Sequence, residues 1–213
     1  LKNVTLVNPL DNGFSFSNGV VNIDGLSASK IGAPALDFRK VQQANVKNLT
    51  ISDARKHAIV ISGSTLVIQS SIFENISEPA FFVTQKSQII ADGLTFNNCN
   101  AAFTSMSSSI KIKNSKITKA SRDAFFVSDG EVSIENTTIE KVEQAITASN
   151  TKLNLSNVQI LNVETGISAF SHGFSSDTDT INTNSMNISA SNQAWHYDKT
   201  KIKIVGSDIN PTP

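Results

Sequence analysis

The sequence has few of the residues that cross-link or kink a chain, and it has no excess of charge. Its 213 residues include one cysteine, one tryptophan, one tyrosine and five prolines. A single cysteine excludes an internal disulfide framework. Eighteen basic residues balance eighteen acidic ones, so no net field attracts the chain to nucleic acid or anionic surfaces. We therefore predict no nucleic-acid partner. Since no apolar run approaches the roughly 18 residues of a membrane span, we also predict no membrane span.

What the sequence does contain is a repeat. A small residue followed by a large apolar one recurs along the chain, and all steps but the last are 21 to 23 residues long. The pairs are Gly13-Phe14, Ala35-Leu36, Ala58-Ile59, Ala80-Phe81, Ala102-Phe103, Ala124-Phe125, Ala145-Ile146, Gly166-Ile167 and Ala194-Trp195. A second apolar column runs through Leu1, Ile23, Val46, Ile68, Ile90, Ile112, Ile134 and Leu155, continued by Thr183 and Ile204. A third comprises Ile51, Phe73, Phe96, Ile117, Ile139, Ile160 and Ile188.

Three columns with one period indicate three short strands in every repeat, with alternate residues pointing inward. Strands this short are stable only if each pairs with the same strand of the next repeat. We therefore predict an all-β fold, a single right-handed parallel β-helix of about nine coils. It forms one domain over residues 1–213, and we interpret the chain as a segment of a longer polypeptide whose neighbouring segments cap both ends.

A mostly polar column follows the second apolar column by two residues. We predict that it forms the bend between two strands, because Asn, Asp and Gly tolerate left-handed backbone angles and stacked amides can bond along the rod. The predicted ladder is Asn48, Ser70, Asp92, Asn114, Asn136 and Asn157. With these features the sequence resembles the right-handed parallel β-helix superfamily, which includes pectate lyases, polygalacturonases, phage tailspikes and many bacterial surface proteins. The resemblance covers essentially the whole chain, but one fold hosts many functions.

The resemblance implies where a ligand lies, since enzymes of this superfamily usually bind substrate across the outer face of the strand after the longest loops. Here that strand begins at each small–large pair. Its middle coils lack the clustered carboxylates that a calcium-dependent lyase or a polygalacturonase needs. They carry an apolar patch instead, formed by Val60, Phe82, Met106 and Phe126. We interpret the patch as a contact surface for a partner, with coverage by neighbouring loops as the alternative.

The one long repeat step contains a polar insertion. It carries His172, Asp177 and Asp179, and the strand after it contributes His196 and Asp198. His196, Asp198 and His172 are the candidate catalytic residues, while Asp177 and Asp179 are the candidate metal ligands. Their spacing matches no specific motif, so we predict no resident cofactor or metal.

Two other groups have plainer interpretations. Asp37, Arg39, Arg55 and His57 are expected to form surface ion pairs. Cys99 shares a column with Ala54, Ile76, Ala120, Val142 and Val163, which predicts a small buried side chain rather than a nucleophile.

These observations favour a non-catalytic module of a larger secreted or cell-surface protein. It is expected to act as a rigid scaffold or an adhesive surface, with other domains of the same chain, a protein partner or a polysaccharide as its ligand. The alternative is a carbohydrate-active enzyme, a polysaccharide lyase or glycoside hydrolase, with its groove at residues 171–180 beside His196 and Asp198. A viral tail-fibre segment, which requires trimerisation, is a third hypothesis.

Overall fold

The computed structural model describes residues 1–9, 11–170, 179–197 and 202–212, with backbone only for residues 179 and 202–212. All regular structure in the described residues is β-strand. The strands are β1 (Lys2–Val7), β2 (Phe14–Ser17), β3 (Val20–Ser29), β4 (Leu36–Arg39), β5 (Gln43–Ala54), β6 (Ile59–Ser62), β7 (Thr65–Thr84), β8 (Gln88–Met106), β9 (Ser109–Lys113), β10 (Lys116–Thr118), β11 (Asp123–Ser128), β12 (Glu131–Glu140), β13 (Gln144–Ser149), β14 (Lys152–Phe170), β15 (Asp179–Tyr197) and β16 (Ile202–Thr212). No helix among the described residues is long and apolar enough to cross a membrane.

The strands wind into a parallel β-helix with three faces, as predicted. Every strand pairing among the described residues is parallel and joins residues about one repeat apart, for example Phe73 with Phe96 and Phe103 with Phe125. Face A contains the second apolar column, including residues 43–47 and 131–135. Face B contains the third column, including 49–52 and 137–140. Face C begins at the small–large pairs, including 59–62 and 125–128.

The apolar columns fill one continuous core. The third column pairs member by member from Ile51 to Ile188, which confirms the predicted register of face B. Aromatic rings stack along the middle coils, where Phe103 lies 4.7 Å from Phe81 and 5.2 Å from Phe125 between ring centroids. Burial of such large side chains away from water stabilises the fold. Since each coil contacts only its neighbours, this burial occurs between adjacent coils.

The predicted register of face A is wrong at two coils. Ile68 pairs with Ala91 rather than Ile90, and Ile90 is 46% exposed. The shift arises at the preceding corner, where two successive residues, Gln85 and Lys86, both have positive φ and lengthen the bend. In the last coils Thr183 pairs with Gly206, so Ile204 does not continue this column.

The corner between faces A and B carries the polar ladder. Positive φ occurs at Asn3, Gly25, Asn48, Ser70, Gly93, Asn114, Asn136, Asn157 and Ser185. Asp92 is a correction to the predicted ladder, because the extra corner residue moves the bend to Gly93. Asp92 lies on the outer surface of face A instead, where its Oδ1 accepts a hydrogen bond of 2.8 Å from the amide of Asn114. The amide of Asn157 likewise donates to Asn136 at 2.8 Å.

The two remaining corners also contain residues with positive φ. Between faces B and C these include Asp53, Asn75 and Asn98. The Asn75 amide donates to the Asp53 carboxylate at 2.9 Å, and the Asn98 amide donates to Asn75 Oδ1 at 2.8 Å. The same corner holds Lys119 and Lys141 at positive φ. This ladder is not evident from the sequence, because lysine at such positions carries no turn signal.

A column of buried hydroxyls lies at the corner between faces C and A. Here the side chain of one coil accepts a hydrogen bond from the backbone N–H of the coil before it. The donors and acceptors are Val41 N to Ser64 Oγ, Ser64 N to Ser87 Oγ and Ser87 N to Ser108 Oγ, at 2.9, 3.2 and 3.1 Å. These bonds satisfy backbone groups that the bend removes from the strand ladders.

Candidate binding surface

The predicted apolar patch lies on the outer surface of face C, and the structure divides it between two columns. Val60, Phe82, Thr104 and Phe126 pair in succession across adjacent coils. Met106 belongs to the neighbouring outward column, paired with Ser128. The patch is therefore interrupted by Thr104, a residue that the sequence analysis did not include in it.

The four side chains differ in exposure. Met106 is 42% exposed and Phe126 is 37% exposed, while Val60 and Phe82 are half-buried. Phe82 is partly covered because the ring of His57 stacks on it, with centroids 4.9 Å apart and an interplanar angle of 13°. Phe126 and Met106 are thus the outward apolar groups most open to a ligand.

A groove of about 390 Å³ runs beside this patch, at the corner between faces B and C. Its lining residues are His57, Glu78, Pro79, Phe82, Asn100, Ala101, Thr104, Arg122, Asp123 and Phe126. Glu78, Asn100 and Arg122 lie at 22-residue intervals, so the two charged side chains occupy equivalent positions of coils that are separated by the coil of Asn100. This spacing is the sequence signal that could have located the column.

The acidic side of the groove is already neutralised. Glu78 lies 2.6 Å from Lys56 Nζ and 3.2 Å from His57 Nε2. The other ring nitrogen of His57 is 2.9 Å from the carbonyl oxygen of Pro79. These contacts fix the imidazole over Phe82 and leave Glu78 with two cationic or hydrogen-bonding neighbours.

The two charged residues at the far wall have different environments. Asp123 is buried, and the Thr147 hydroxyl donates a short hydrogen bond to its Oδ1. Arg122 is exposed, and its guanidinium makes no ion pair or side-chain hydrogen bond within the described part of the chain. The groove therefore combines apolar walls with one uncommitted cation.

The candidates near the insertion are only partly described. His172, Asp177 and Asp198 lie outside the described residues. Asp179 begins β15 and pairs with Ile202 through its backbone. His196 is exposed on face C, with Nδ1 3.2 Å from Gln193 Oε1 and its ring 5.5 Å from that of Phe170. Over residues 1–9, 11–170 and 180–197 no three His, Cys, Asp or Glu side chains are grouped so as to hold a metal ion.

Of the four residues expected to form surface ion pairs, Asp37 and Arg39 pair with each other, whereas His57 lies against Glu78. Arg39 binds Asp37 through Nε and Nη2, at 2.8 to 3.1 Å, on two adjacent outward positions of face C. The aspartate side chain is 3% exposed and the arginine 68% exposed. Hydrogen bonding to this carboxylate raises the pKa of Arg39, which stays protonated in any case.

Cys99 lies in the core, as its column predicted. It is 3% exposed, and burial raises the pKa of its thiol to about 11. Because the thiolate is the reactive form, we expect Cys99 to be inert toward a chromogenic disulfide reagent at pH 8 in the folded protein and to react fully in denaturant. Complete labelling of the folded chain within minutes would contradict its placement.

Comparison with known proteins identifies a family without identifying an activity. A family model described as "Right handed beta helix region" matches residues 35–185. The match covers most of the chain and agrees with the predicted right-handed winding. No curated protein matches the sequence.

Proposed function

We propose that this chain, which belongs to the right-handed β-helix family, is a rigid, non-catalytic module that binds a protein partner through the outer surface of face C. The observation that carries the proposal is the exposure of Phe126 and Met106 beside a groove whose carboxylates are already engaged. Exposed apolar side chains around a groove are typical of interaction sites. The parallel ladders hold these side chains on a stiff support, which limits the entropy lost on binding.

The engagement of both carboxylates that line this groove argues against hydrolytic or lyase chemistry there. A general acid or base must reach the substrate, and a calcium site needs several carboxylate oxygens. Glu78 is held by Lys56 and His57, while Asp123 accepts from Thr147. Within the described residues the groove thus offers recognition groups rather than a catalytic pair.

The larger setting of the module is part of the proposal. We expect it to serve a secreted or cell-surface protein as a scaffold or adhesive segment. The competing hypothesis is a carbohydrate-active enzyme that uses His196, His172 and Asp198, with Asp177 and Asp179 as metal ligands. Release of products from acidic or neutral polysaccharides, lost in a His196→Ala, Asp198→Ala variant, would replace our proposal with that one.

The decisive binding test uses an array of random peptides probed with the folded chain. We expect the wild type to select a family of peptides and the Phe126→Ser variant to bind them at least about tenfold more weakly, because a buried aromatic contact is lost. Ile90→Ser is the matched control, since Ile90 is an exposed apolar residue on face A. Circular dichroism verifies that both variants fold.

Two results would overturn the proposal. One is selection of peptides that Phe126→Ser leaves unchanged, which would place the binding surface elsewhere. The other is an absence of peptide binding together with polysaccharide turnover. A doubled mass in light scattering that the Phe126→Ser variant abolishes would instead identify a second copy of the chain as the partner.

A further inference from the structure

We propose that the groove recognises a protein segment in which an aspartate or glutamate lies beside an apolar side chain. This inference rests on the proposed function and adds the chemistry of the partner. It follows from how charge and apolar surface are arranged around the groove of residues 57–126. Arg122 binds the carboxylate, and the wall formed by Phe82, Thr104 and Phe126 holds the apolar group.

The carboxylate is inferred from which charged lining residues already have side-chain partners. Lys56 and Glu78 form one pair at 2.6 Å, and the buried Asp123 carboxylate accepts a hydrogen bond from the Thr147 hydroxyl. Arg122 is the charged lining residue left without a side-chain partner among the described residues. A guanidinium presents a planar fork of N–H donors that matches a carboxylate in two parallel hydrogen bonds. An acidic side chain therefore complements the groove, whereas a basic one would meet Arg122 with repulsion.

The apolar group is inferred from the open wall. Phe126 is 37% exposed beside the groove, and Met106 is 42% exposed two positions beyond Thr104. The unbranched thioether of methionine adapts its shape to varied apolar side chains. An aliphatic or aromatic residue of a peptide can cover both surfaces while its neighbour reaches Arg122.

The same geometry disfavours a sugar chain in this groove. Sugars need a flat aromatic face and many hydrogen-bonding groups for their hydroxyls. The ring of Phe82 is covered on one side by His57 at 4.9 Å. The carboxylates of Glu78 and Asp123, which would otherwise accept from sugar hydroxyls, are engaged by Lys56, His57 and Thr147. The lining therefore offers a saccharide Asn100, Thr104 and Arg122 but no free carboxylate.

The test is a comparison of Arg122 variants on the peptide array and on one synthetic peptide from it. We expect the selected sequences to be enriched in Asp or Glu next to an apolar residue. Arg122→Gln is expected to raise the Kd for the synthetic peptide by about 10- to 100-fold, which is the effect of losing a charge-assisted hydrogen bond. Arg122→Lys keeps the positive charge but lacks the planar fork of N–H donors, so its Kd for the peptide is expected to lie between those of the wild type and of Arg122→Gln. Amidation of the peptide's acidic side chain is expected to produce the same loss in the wild type and little further loss in Arg122→Gln.

Arg55→Gln is the matched control, because Arg55 lies in the same corner three coils earlier and does not line this groove. Peptides that require Phe126 but bind Arg122→Gln as tightly as the wild type would overturn this inference and leave the proposed function in place. Binding of oligogalacturonate in preference to every peptide would overturn it in favour of an acidic sugar. Peptide binding indifferent to both Phe126→Ser and Arg122→Gln would overturn the proposed function as well.

Discussion

Truncation of Phe125 to alanine is expected to lower the free energy of unfolding by about 3–5 kcal/mol, the usual cost of removing a buried phenylalanine. Phe125 is fully buried, and its ring stacks on Phe103 with centroids 5.2 Å apart and planes 3° apart. Its removal leaves a cavity in the middle of the rod, where the coil on each side is already packed. Chemical denaturation followed by circular dichroism measures the loss.

The adjacent residue provides a control in the same strand. Phe126 points outward and is 37% exposed, so Phe126→Ala is expected to change the free energy of unfolding by about 0.5 kcal/mol or less. Because alternate residues of a strand face opposite sides, a shift of one position would exchange the two effects. Equal losses at both positions, or a larger loss at Phe126, would contradict the register of face C.

The fold was predictable because every repeat must meet the same physical requirement, an apolar side chain at the same inward position of each strand. Each short strand must place the same kind of residue inward as the strand above it, so Phe73 and Phe96 recur one period apart and pair in the structure. The Asn residues of one corner were predictable for the same reason, since Asn48 and Asn136 both adopt the left-handed backbone that the bend requires. Because these requirements recur in every coil, they produce a residue pattern that recurs in the sequence.

The register errors arose where the constraint is not periodic. The corner of residues 85–87 holds one residue more than the corner of residues 63–64 before it, and Gln85 and Lys86 both take left-handed angles there. Neither residue type signals such a bend. The extra residue moved Asp92 and Ile90 out of their predicted columns. The face B residues before and after this corner, Phe73 and Phe96, pair as predicted. Sequence spacing alone does not say in which of three corners an added residue lies.

The groove was less predictable than the fold. The aromatic outward residues followed from alternation, but their partners did not. His57 covers Phe82 because it lies in the turn before β6, one coil away, and its orientation is fixed by Glu78 and the Pro79 carbonyl. From the sequence, His57 was expected to form a surface ion pair in the group of Asp37. Turn residues have no inward–outward alternation, so their side-chain directions depend on hydrogen bonds that appear only in three dimensions.

The hydroxyl column at the corner between faces C and A gives a second case in which the repeat and the structure disagree. Ser64, Ser87 and Ser108 occupy this column, and Gly130 is the next member. The repeat pattern by itself favours serine at position 130, as consensus substitutions in repeats often stabilise. In the structure, however, a Cβ at Gly130 would lie 2.2 Å from the carbonyl oxygen of Ser108 and 3.2 Å from its backbone nitrogen.

We therefore expect Gly130→Ser to destabilise the protein by roughly 1–3 kcal/mol, in the opposite direction from the consensus argument. The obstacle is backbone, so the strand itself must shift, and the Ser108 carbonyl already accepts from the N–H of Glu131 at 3.2 Å. Thr151→Ser is the control, since it places serine at the next position of the column and keeps the hydroxyl that donates to Ser149 O at 2.7 Å. Urea denaturation of both variants measures the difference. A gain in stability for Gly130→Ser would show that the corner relaxes around a side chain, and that the repeat pattern predicts this position better than the local geometry does.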